Sequence, residues 1–176
     1  MIFDKPLEIE RKFLIHMPKL ETLLALGGAP HEITQTYLTN GPEGENRRVR
    51  RSEQGGEVTY TYTQKKRITD LTCIEEEREI DESEYQGLLS DARKGSATLT
   101  KTRWKIPFDG HIVEVDIYPF WEEYAVLEVE LKSEEETFSI PEELTIFREV
   151  TGERLYKNTA LADWLFAHPE EAPPVR

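Results

Sequence analysis

The sequence has few of the residues on which many enzyme classes depend. Its 176 residues include one cysteine and four histidines, and no two histidines stand at the spacing of metal ligands. Cys73 has no partner for an intramolecular disulfide, and a zinc centre or a Cys-His nucleophile is not supported. A glycine-rich phosphate loop is also missing, which excludes the P-loop and Rossmann classes of nucleotide-binding protein.

Long apolar runs are missing as well. No segment has the length needed to span a bilayer, and the N-terminus lacks the apolar core of a signal peptide. We therefore expect a soluble cytoplasmic protein with no membrane partner. The net charge of −13 argues against a surface that coats nucleic acid, although a local basic pocket remains compatible with it.

The chain is nevertheless rich enough in core-forming residues to fold. Hydrophobic residues make up 38% and charged residues 32% of it, so the surplus charge needs a place in the fold. We expect one domain over residues 1–176, with a Pro- and Glu-rich flexible tail at 169–176. The sequence leaves the oligomeric state open, with a homodimer as one option.

Periodicity and turn signals predict a mainly β (α+β) protein. The predicted strands cover 7–14, 32–38, 47–51, 58–66, 73–80, 99–108, 111–118 and 125–132. Helices are predicted over 20–26, from Asp81 or Ser83 to about Ala92, and over 156–166. Asp109-Gly110 is a strong hairpin signal.

Charged residues recur at alternate positions in these strands and therefore share one face of each. In the first strand Glu8, Glu10 and Lys12 face one side, while Ile9 and Phe13 face the other. The corresponding charged positions elsewhere are Arg48 and Arg50, Lys65, Glu75 and Glu77, Lys101 and Arg103, Glu114 and Asp116, and Glu128 and Glu130.

Acidic and basic side chains are segregated by strand. An ordinary solvated sheet face is the alternative interpretation, but such a face usually mixes signs. The segregation favours opposing walls of one cavity, and a long run of antiparallel strands favours a closed barrel without free edges. Clustered carboxylates suit Mg²⁺ or Mn²⁺, and clustered Arg and Lys suit phosphate oxygens. Together they indicate a site for a polyphosphate.

The segment Glu8-Ile9-Glu10-Arg11-Lys12 is an ExExK signature, and the chain resembles the CYTH superfamily of triphosphate tunnel metalloenzymes. The signature is short, but further charged elements follow in the family's order along nearly the whole chain. They are Arg48-Val49-Arg50, Lys65, Glu75-x-Glu77, Lys101-Thr102-Arg103, Glu114-Val115-Asp116, Glu128-Val129-Glu130 and Tyr156-Lys157-Asn158.

The resemblance implies an eight-stranded antiparallel barrel that forms a tunnel for a linear triphosphate. The implied metal ligands for Mg²⁺ or Mn²⁺ are Glu8, Glu10, Glu128 and Glu130, with Glu114 and Asp116 near a second metal. The implied phosphate-binding residues are Lys12, Arg48, Arg50, Lys65, Lys101, Arg103 and Lys157. The implied catalytic residues are Lys101 and Arg103. Four acidic residues, Glu75, Glu77, Glu114 and Asp116, would orient the basic groups or help to position a second metal and the attacking water.

The compact domain looks most like the bacterial inorganic triphosphatases, which predicts hydrolysis of tripolyphosphate, a small-molecule substrate. The alternatives are a thiamine or nucleoside triphosphatase, an adenylate cyclase, and a binding module without turnover. Strand alternation selects Lys65 over its neighbours Lys66 and Arg67 as the inward cation. It also directs Tyr60 and Tyr62 outward.

Overall fold

The computed structural model describes residues 6–176, and strands dominate this part of the chain. The strands are β1 (Leu7–His16), β2 (Ala29–Tyr37), β3 (Asn46–Gln54), β4 (Glu57–Arg67), β5 (Thr72–Ile80), β6 (Leu99–Phe108), β7 (His111–Ile117), β8 (Tyr124–Leu131) and β9 (Ile146–Glu149). The helices are α1 (Leu20–Ala25), α2 (Glu82–Leu88) and α3 (Asn158–Ala167).

The strands β1 to β8 form a closed antiparallel barrel, as predicted. Their order is β5-β4-β3-β2-β6-β7-β8-β1, and the pairing of β5 with β1 closes it. The hairpin between β6 and β7 turns at Asp109 and Gly110, whose φ angles are 49° and 78°. Both angles lie in the left-handed region that a tight hairpin of this kind requires. The barrel brings the predicted charged faces of its strands to one interior.

One strand was not predicted. β9 lies beside β1 and pairs with it from Phe13 to Ile15, whereas β5 pairs with β1 only from Leu7 to Ile9. The two strands therefore share one edge of β1. Between them the Glu10 amide donates to the Leu71 carbonyl at 3.0 Å, and the Lys12 amide donates to Thr151 Oγ1 at 2.9 Å.

Apolar side chains on the outward positions of the strands form the largest core cluster. Val113, Val115, Leu127 and Val129 are fully buried there. α1 covers this surface, and its Leu23 belongs to the same cluster. Further buried members are Ile9, Phe13, Trp104, Ile106 and Leu131. Much of the hydrophobic core of this barrel thus lies outside its strands, which leaves the interior free for charge.

A second apolar cluster closes one end of the barrel interior. Leu14, Leu99 and Val126 have the inward parity of the charged residues but stand at the ends of their strands. They pack with Leu161 of α3 and with Tyr156 of the 3₁₀ turn before it. The interior is therefore apolar at one end and charged along the rest. α3 acts as the plug of the apolar end.

The C-terminal residues, for which a flexible tail is predicted, make hydrogen bonds with two buried aromatic side chains. The Trp121 indole donates to the Pro173 carbonyl at 2.9 Å, and Arg176 exchanges backbone hydrogen bonds with the Tyr156 hydroxyl at 2.7 and 2.8 Å. Trp121 and Tyr156 are buried, and their polar atoms need partners. The tail supplies those partners, so it lies against the plug.

The outward tyrosines and the second helix agree with the predictions. Tyr60 and Tyr62 pack on the outer face of β4 against the cluster that contains Tyr85 of α2. The Asp81 carboxylate caps α2 by accepting from the Glu84 amide. No helix among residues 6–176 is long and apolar enough to cross a membrane.

Candidate active site

The charged part of the barrel interior surrounds a cavity of about 560 Å³. Most of the site residues predicted from the sequence line it. These are Glu8, Glu10, Lys12, Arg48, Arg50, Lys65, Arg103, Glu114, Glu128, Glu130 and Lys157. The strand register explains the convergence, because it places Glu10 opposite Glu130, Lys12 opposite Glu128 and Glu114 opposite Glu128.

Two predicted residues lie behind the cavity wall. Lys101 and Asp116 are 2% and 1% exposed, and Lys101 Nζ is 2.7 Å from Asp116 Oδ2. Arg103 donates from Nε to Asp116 Oδ1 at 2.8 Å and from Nη2 to Oδ2 at 2.9 Å. Burial alone would raise the pKa of Asp116, but the attraction of Arg103 and Lys101 holds it below its ordinary value.

This geometry favours one of the two roles implied for Asp116, that of orienting the basic groups, over that of a metal ligand. Both of its oxygens are already engaged by Arg103 and Lys101, so it orients those cations from behind. Of the two, only Arg103 reaches the cavity wall.

Glu75 and Glu77 also stand apart from the wall. Glu77 accepts a hydrogen bond from Thr63 Oγ1 at 2.8 Å. Glu75 Oε2 lies 3.9 Å from Lys65 Nζ, whereas the same ammonium is 2.8 Å from Glu8 Oε1. Glu8 is therefore the closer partner of Lys65, and Glu75 supports that cation from β5.

The carboxylates on the wall repel one another. Burial, together with the charges of Glu128 and Glu8, raises the pKa of Glu10 to about 8. Burial and the charges of Glu8 and Glu114 also raise the pKa of Glu130. This excess of negative charge would be relieved by a bound cation.

Glu128 has the opposite balance. Burial would raise its pKa, but the cations Lys12 and Arg103 lower it to about 2. Lys12 Nζ lies 3.4 Å from Glu128 Oε1 and donates to the Tyr156 carbonyl at 3.3 Å. Lys12 therefore connects the acidic wall to the segment that precedes the plug.

The donor set of this wall suits a hard divalent cation. Its donors are carboxylate oxygens, the ligands that Mg²⁺ and Mn²⁺ prefer. Within residues 6–176 no three acidic, histidine or cysteine side chains form a ready-made metal cluster. Glu8 and Glu128 instead lie at ion-pair distance from Lys65 and Lys12. The fit thus rests on the donor chemistry and on the repulsion at Glu10. The wall carboxylates able to hold the ion are Glu8, Glu10, Glu114, Glu128 and Glu130.

The opposite wall carries arginines without acidic partners. Within the described residues neither Arg48 nor Arg50 has a carboxylate at ion-pair distance, and the buried Arg48 Nε has no hydrogen-bond partner. Arg50 donates from Nε and Nη2 to Gln35 Oε1 at 3.2 and 2.9 Å. Burial and repulsion from Arg48 and Arg103 lower the pKa of Arg50 to about 9. An anion at this wall would satisfy both charge and hydrogen bonding.

Several lining residues were not predicted. Lys66 and Arg67 join Lys65 on the wall because β4 ends at Arg67, where strict alternation no longer holds. Others come from the loop before β3 and from the segment that leads into α3, in which only Lys157 had been identified. The remaining lining residues, to which the sequence analysis assigns no role in the site, are Tyr37, Gly44, Asn46, Cys73, Arg154, Asn158 and Thr159.

The comparisons with known proteins agree with this geometry. An inorganic triphosphatase of known structure, NE1496, is 30% identical, with 89% of this chain and 97% of that chain covered and a TM-score of 0.54. A conserved hypothetical protein from Pyrococcus furiosus is 24% identical, with 73% and 82% covered and a TM-score of 0.53. PH1819 from Pyrococcus horikoshii is 21% identical, with 72% and 79% covered and a TM-score of 0.52.

These last two likenesses show the fold alone. The comparison with curated proteins finds no match. The CYTH domain model matches residues 6–157, a range that contains all eight barrel strands, β9 and Lys157. The chain therefore belongs to the CYTH domain family.

Proposed function

We propose that the protein hydrolyses inorganic tripolyphosphate to pyrophosphate and phosphate, with Mg²⁺ or Mn²⁺ as cofactor. The observation that supports it is the cavity in which an acidic wall faces two arginines without acidic partners. The likeness to an inorganic triphosphatase over 97% of that protein's length points to the same chemistry.

The cations of the chain bind and orient the substrate in this proposal. Arg48 and Arg50 present guanidinium groups, which can hold phosphate oxygens in pairs. Arg103, fixed by Asp116, contributes from a neighbouring strand. Lys157 adds a charge from the plug side of the cavity. A linear chain of three phosphates reaches several of these groups at once, whereas pyrophosphate is shorter and should be a poor substrate.

In the reaction, a water oxygen attacks a terminal phosphorus and the bond from that phosphorus to the bridging oxygen breaks. Pyrophosphate leaves and phosphate carries the new oxygen. Much of phosphoryl-transfer catalysis is positioning and neutralisation of charge. A divalent ion at the carboxylate wall would supply neutralisation of the phosphate oxygens. The arginines would neutralise the remaining phosphate charge and hold the linear triphosphate in position for the attack of water.

The direct experiment measures phosphate release from tripolyphosphate, pyrophosphate, ATP and thiamine triphosphate, with Mg²⁺ and with Mn²⁺. A clear preference for tripolyphosphate is the expected result. Preference for an organic triphosphate would replace the proposed substrate, and cyclic AMP as the main product from ATP would indicate a cyclase. Tight tripolyphosphate binding without turnover would indicate a binding module.

Metal dependence is tested at Glu10. EDTA should abolish phosphate release, and Glu10→Gln should lower it by about a hundredfold or more, because one ligand and one charge are lost together. Glu142→Gln is the matched control, since it makes the same change at an exposed loop position and should leave activity unaltered. Phosphate release that persists in EDTA would contradict the metal requirement.

Metal and substrate should also stabilise the fold. A ligand that binds only the folded state raises the unfolding free energy by mass action. We expect millimolar Mg²⁺ with tripolyphosphate to raise the melting temperature of the wild-type protein and to raise that of Glu10→Gln much less. An equal shift in the two proteins would place the metal elsewhere.

A further inference from the structure

The side chain that holds Arg50 is a neutral amide. Gln35 lies on β2 directly opposite Arg50 of β3 and is fully buried. Its Oε1 accepts both hydrogen bonds from the Arg50 guanidinium, and its Nε2 donates to the Tyr37 hydroxyl at 3.1 Å. Because the guanidinium needs an acceptor, these contacts fix which way the amide points.

This arrangement differs from that of three other cations in the same cavity, Arg103, Lys65 and Lys12. Arg103 is held by the Asp116 carboxylate, and Lys65 and Lys12 are each held by a glutamate. In those pairs the carboxylate both orients the cation and cancels its charge. Gln35 orients Arg50 and leaves its charge in place.

An uncancelled charge is costly in the empty cavity and useful when an anion binds. Within residues 6–176 Arg50 has no carboxylate at ion-pair distance, and Arg48 and Arg103 both disfavour its charged form, so an anion that enters the cavity would relieve this repulsion. The Gln35 amide also uses one Nη group and Nε of Arg50, and the other guanidinium nitrogen stays available to the cavity. A phosphate oxygen bound there does not compete with a carboxylate for the guanidinium.

We infer that Gln35 is a positioning residue that sets substrate affinity: it fixes the Arg50 guanidinium without neutralising it, so that this wall binds the phosphate chain with full positive charge. The inference rests on the proposed function for the identity of the substrate. Gln35 does not line the cavity itself and acts through Arg50.

The charge on this side chain can be changed with little change in shape. Gln35→Glu keeps the acceptor oxygen that Arg50 uses, replaces the amide group that donates to Tyr37 by a second oxygen, and adds a negative charge at hydrogen-bond distance from Arg50. We expect the affinity for tripolyphosphate in metal-free protein, measured by calorimetry, to fall roughly ten- to a hundredfold. KM should rise by a similar factor, while kcat changes much less.

Two further variants separate positioning from structural support. Gln35→Met removes the anchor without adding charge, and it should weaken tripolyphosphate binding in the wild-type background but have no further effect on Arg50→Met. Gln64→Glu is the matched control, because Gln64 lies on the face of β4 opposite Lys65 and accepts a hydrogen bond from Tyr62. It makes the same charge change outside the cavity and should leave KM unaltered.

The outcomes distinguish this inference from the proposed function. Turnover of tripolyphosphate with unchanged KM and affinity in Gln35→Glu would overturn the role of Gln35 and leave the activity standing. Tripolyphosphate binding without turnover, weakened in Gln35→Glu, would refute the activity and support the role of Gln35. Should Gln35→Glu fail to fold, an effect of Gln35→Met that persists in the Arg50→Met background would overturn the role. No tripolyphosphate binding to the wild-type protein would overturn both.

Discussion

The two walls of the cavity differ in whether their buried charges have partners of opposite charge. On the wall formed by β6, β7, β8 and β1, cations and carboxylates alternate, and Asp116 lies between Lys101 and Arg103. On the wall formed by β2 and β3, the neutral Gln35 accepts the side-chain hydrogen bonds of Arg50, and Arg48 Nε has no partner among residues 6–176. The first wall is preassembled by its own pairs, and the second is left with unbalanced charge.

The difference separates two contributions of charge to this protein. A paired ion stabilises its partner in the fold, and removal of one member leaves the other buried alone. An unpaired cation contributes little to the fold but much to the binding of an anion. The two walls should therefore respond differently to loss of charge, with the larger effect on stability at the paired wall.

The largest loss of stability is expected for Asp116→Asn. It leaves two buried cations facing each other, and removing one partner from a buried pair costs about 3–5 kcal/mol. Denaturant unfolding with EDTA present would measure it. The control is Asp163→Asn, which removes a half-exposed carboxylate paired with Arg93 at 2.5 Å and should cost no more than about 1 kcal/mol. Equal losses in the two variants would contradict the role of Asp116 as a buried clamp.

An intermediate effect is expected from pH through Glu10. Its pKa of about 8 in the folded protein lies above the ordinary 4.5, so the folded state keeps a proton that the unfolded state has lost between these values. The contribution of Glu10 to stability is thus complete below pH 4.5 and is lost as the pH rises to about 8.

Glu128 acts in the opposite direction. Its pKa of about 2 gives a contribution to stability that is present above pH 4.5 and is lost as the pH falls to 2.

Between pH 5 and pH 8 the effect of Glu10 dominates. Metal-free wild-type protein should lose stability as the pH rises over this range, and Glu10→Gln should lose less. Unfolding curves across this range, with EDTA, test it. A slope that is the same in both proteins would show that Glu10 is not the group responsible.

The smallest effect on stability is expected for Arg50→Met on the unbalanced wall. The change removes repulsion with Arg48 and Arg103 but leaves Gln35 Oε1 without its donor, so the unfolding free energy should change by no more than about 1 kcal/mol. Calorimetric affinity for tripolyphosphate should nevertheless fall at least about tenfold. A large loss of stability would show that this arginine supports the fold after all.

Strand alternation explains how much of this site could be predicted from sequence. It identifies the inward face of each strand, and that is sufficient for ten charged cavity residues: Glu8, Glu10, Lys12, Arg48, Arg50, Lys65, Arg103, Glu114, Glu128 and Glu130. It does not give the depth of a residue along the barrel axis. Asp116 and Glu114 have the same parity, but Glu114 reaches the cavity and Asp116 lies behind Arg103.

Other features depended on contacts between distant segments. Gln35 is an ordinary strand residue until the register of β2 and β3 places it opposite Arg50. β9 is four residues long and pairs only with β1, so its own sequence carries a weak signal. The Pro- and Glu-rich composition of the tail predicts flexibility, and composition alone does not indicate its contacts with Trp121 and Tyr156.

The shared edge of β1 has a consequence for motion. β1 and β8 are paired continuously from Ile9 to His16, whereas the seam between β1 and β5 runs only from Leu7 to Ile9. Local opening is cheapest where few backbone hydrogen bonds must break together. We therefore expect the barrel to open locally between β1 and β5, where Glu8 lies opposite Cys73. Amide hydrogens in the β1–β5 pairing should exchange with solvent sooner than those in the β1–β8 pairing. A cation bound by Glu8 of β1 and the carboxylates of β8 would not connect β1 to β5, so it would leave this pairing free to open.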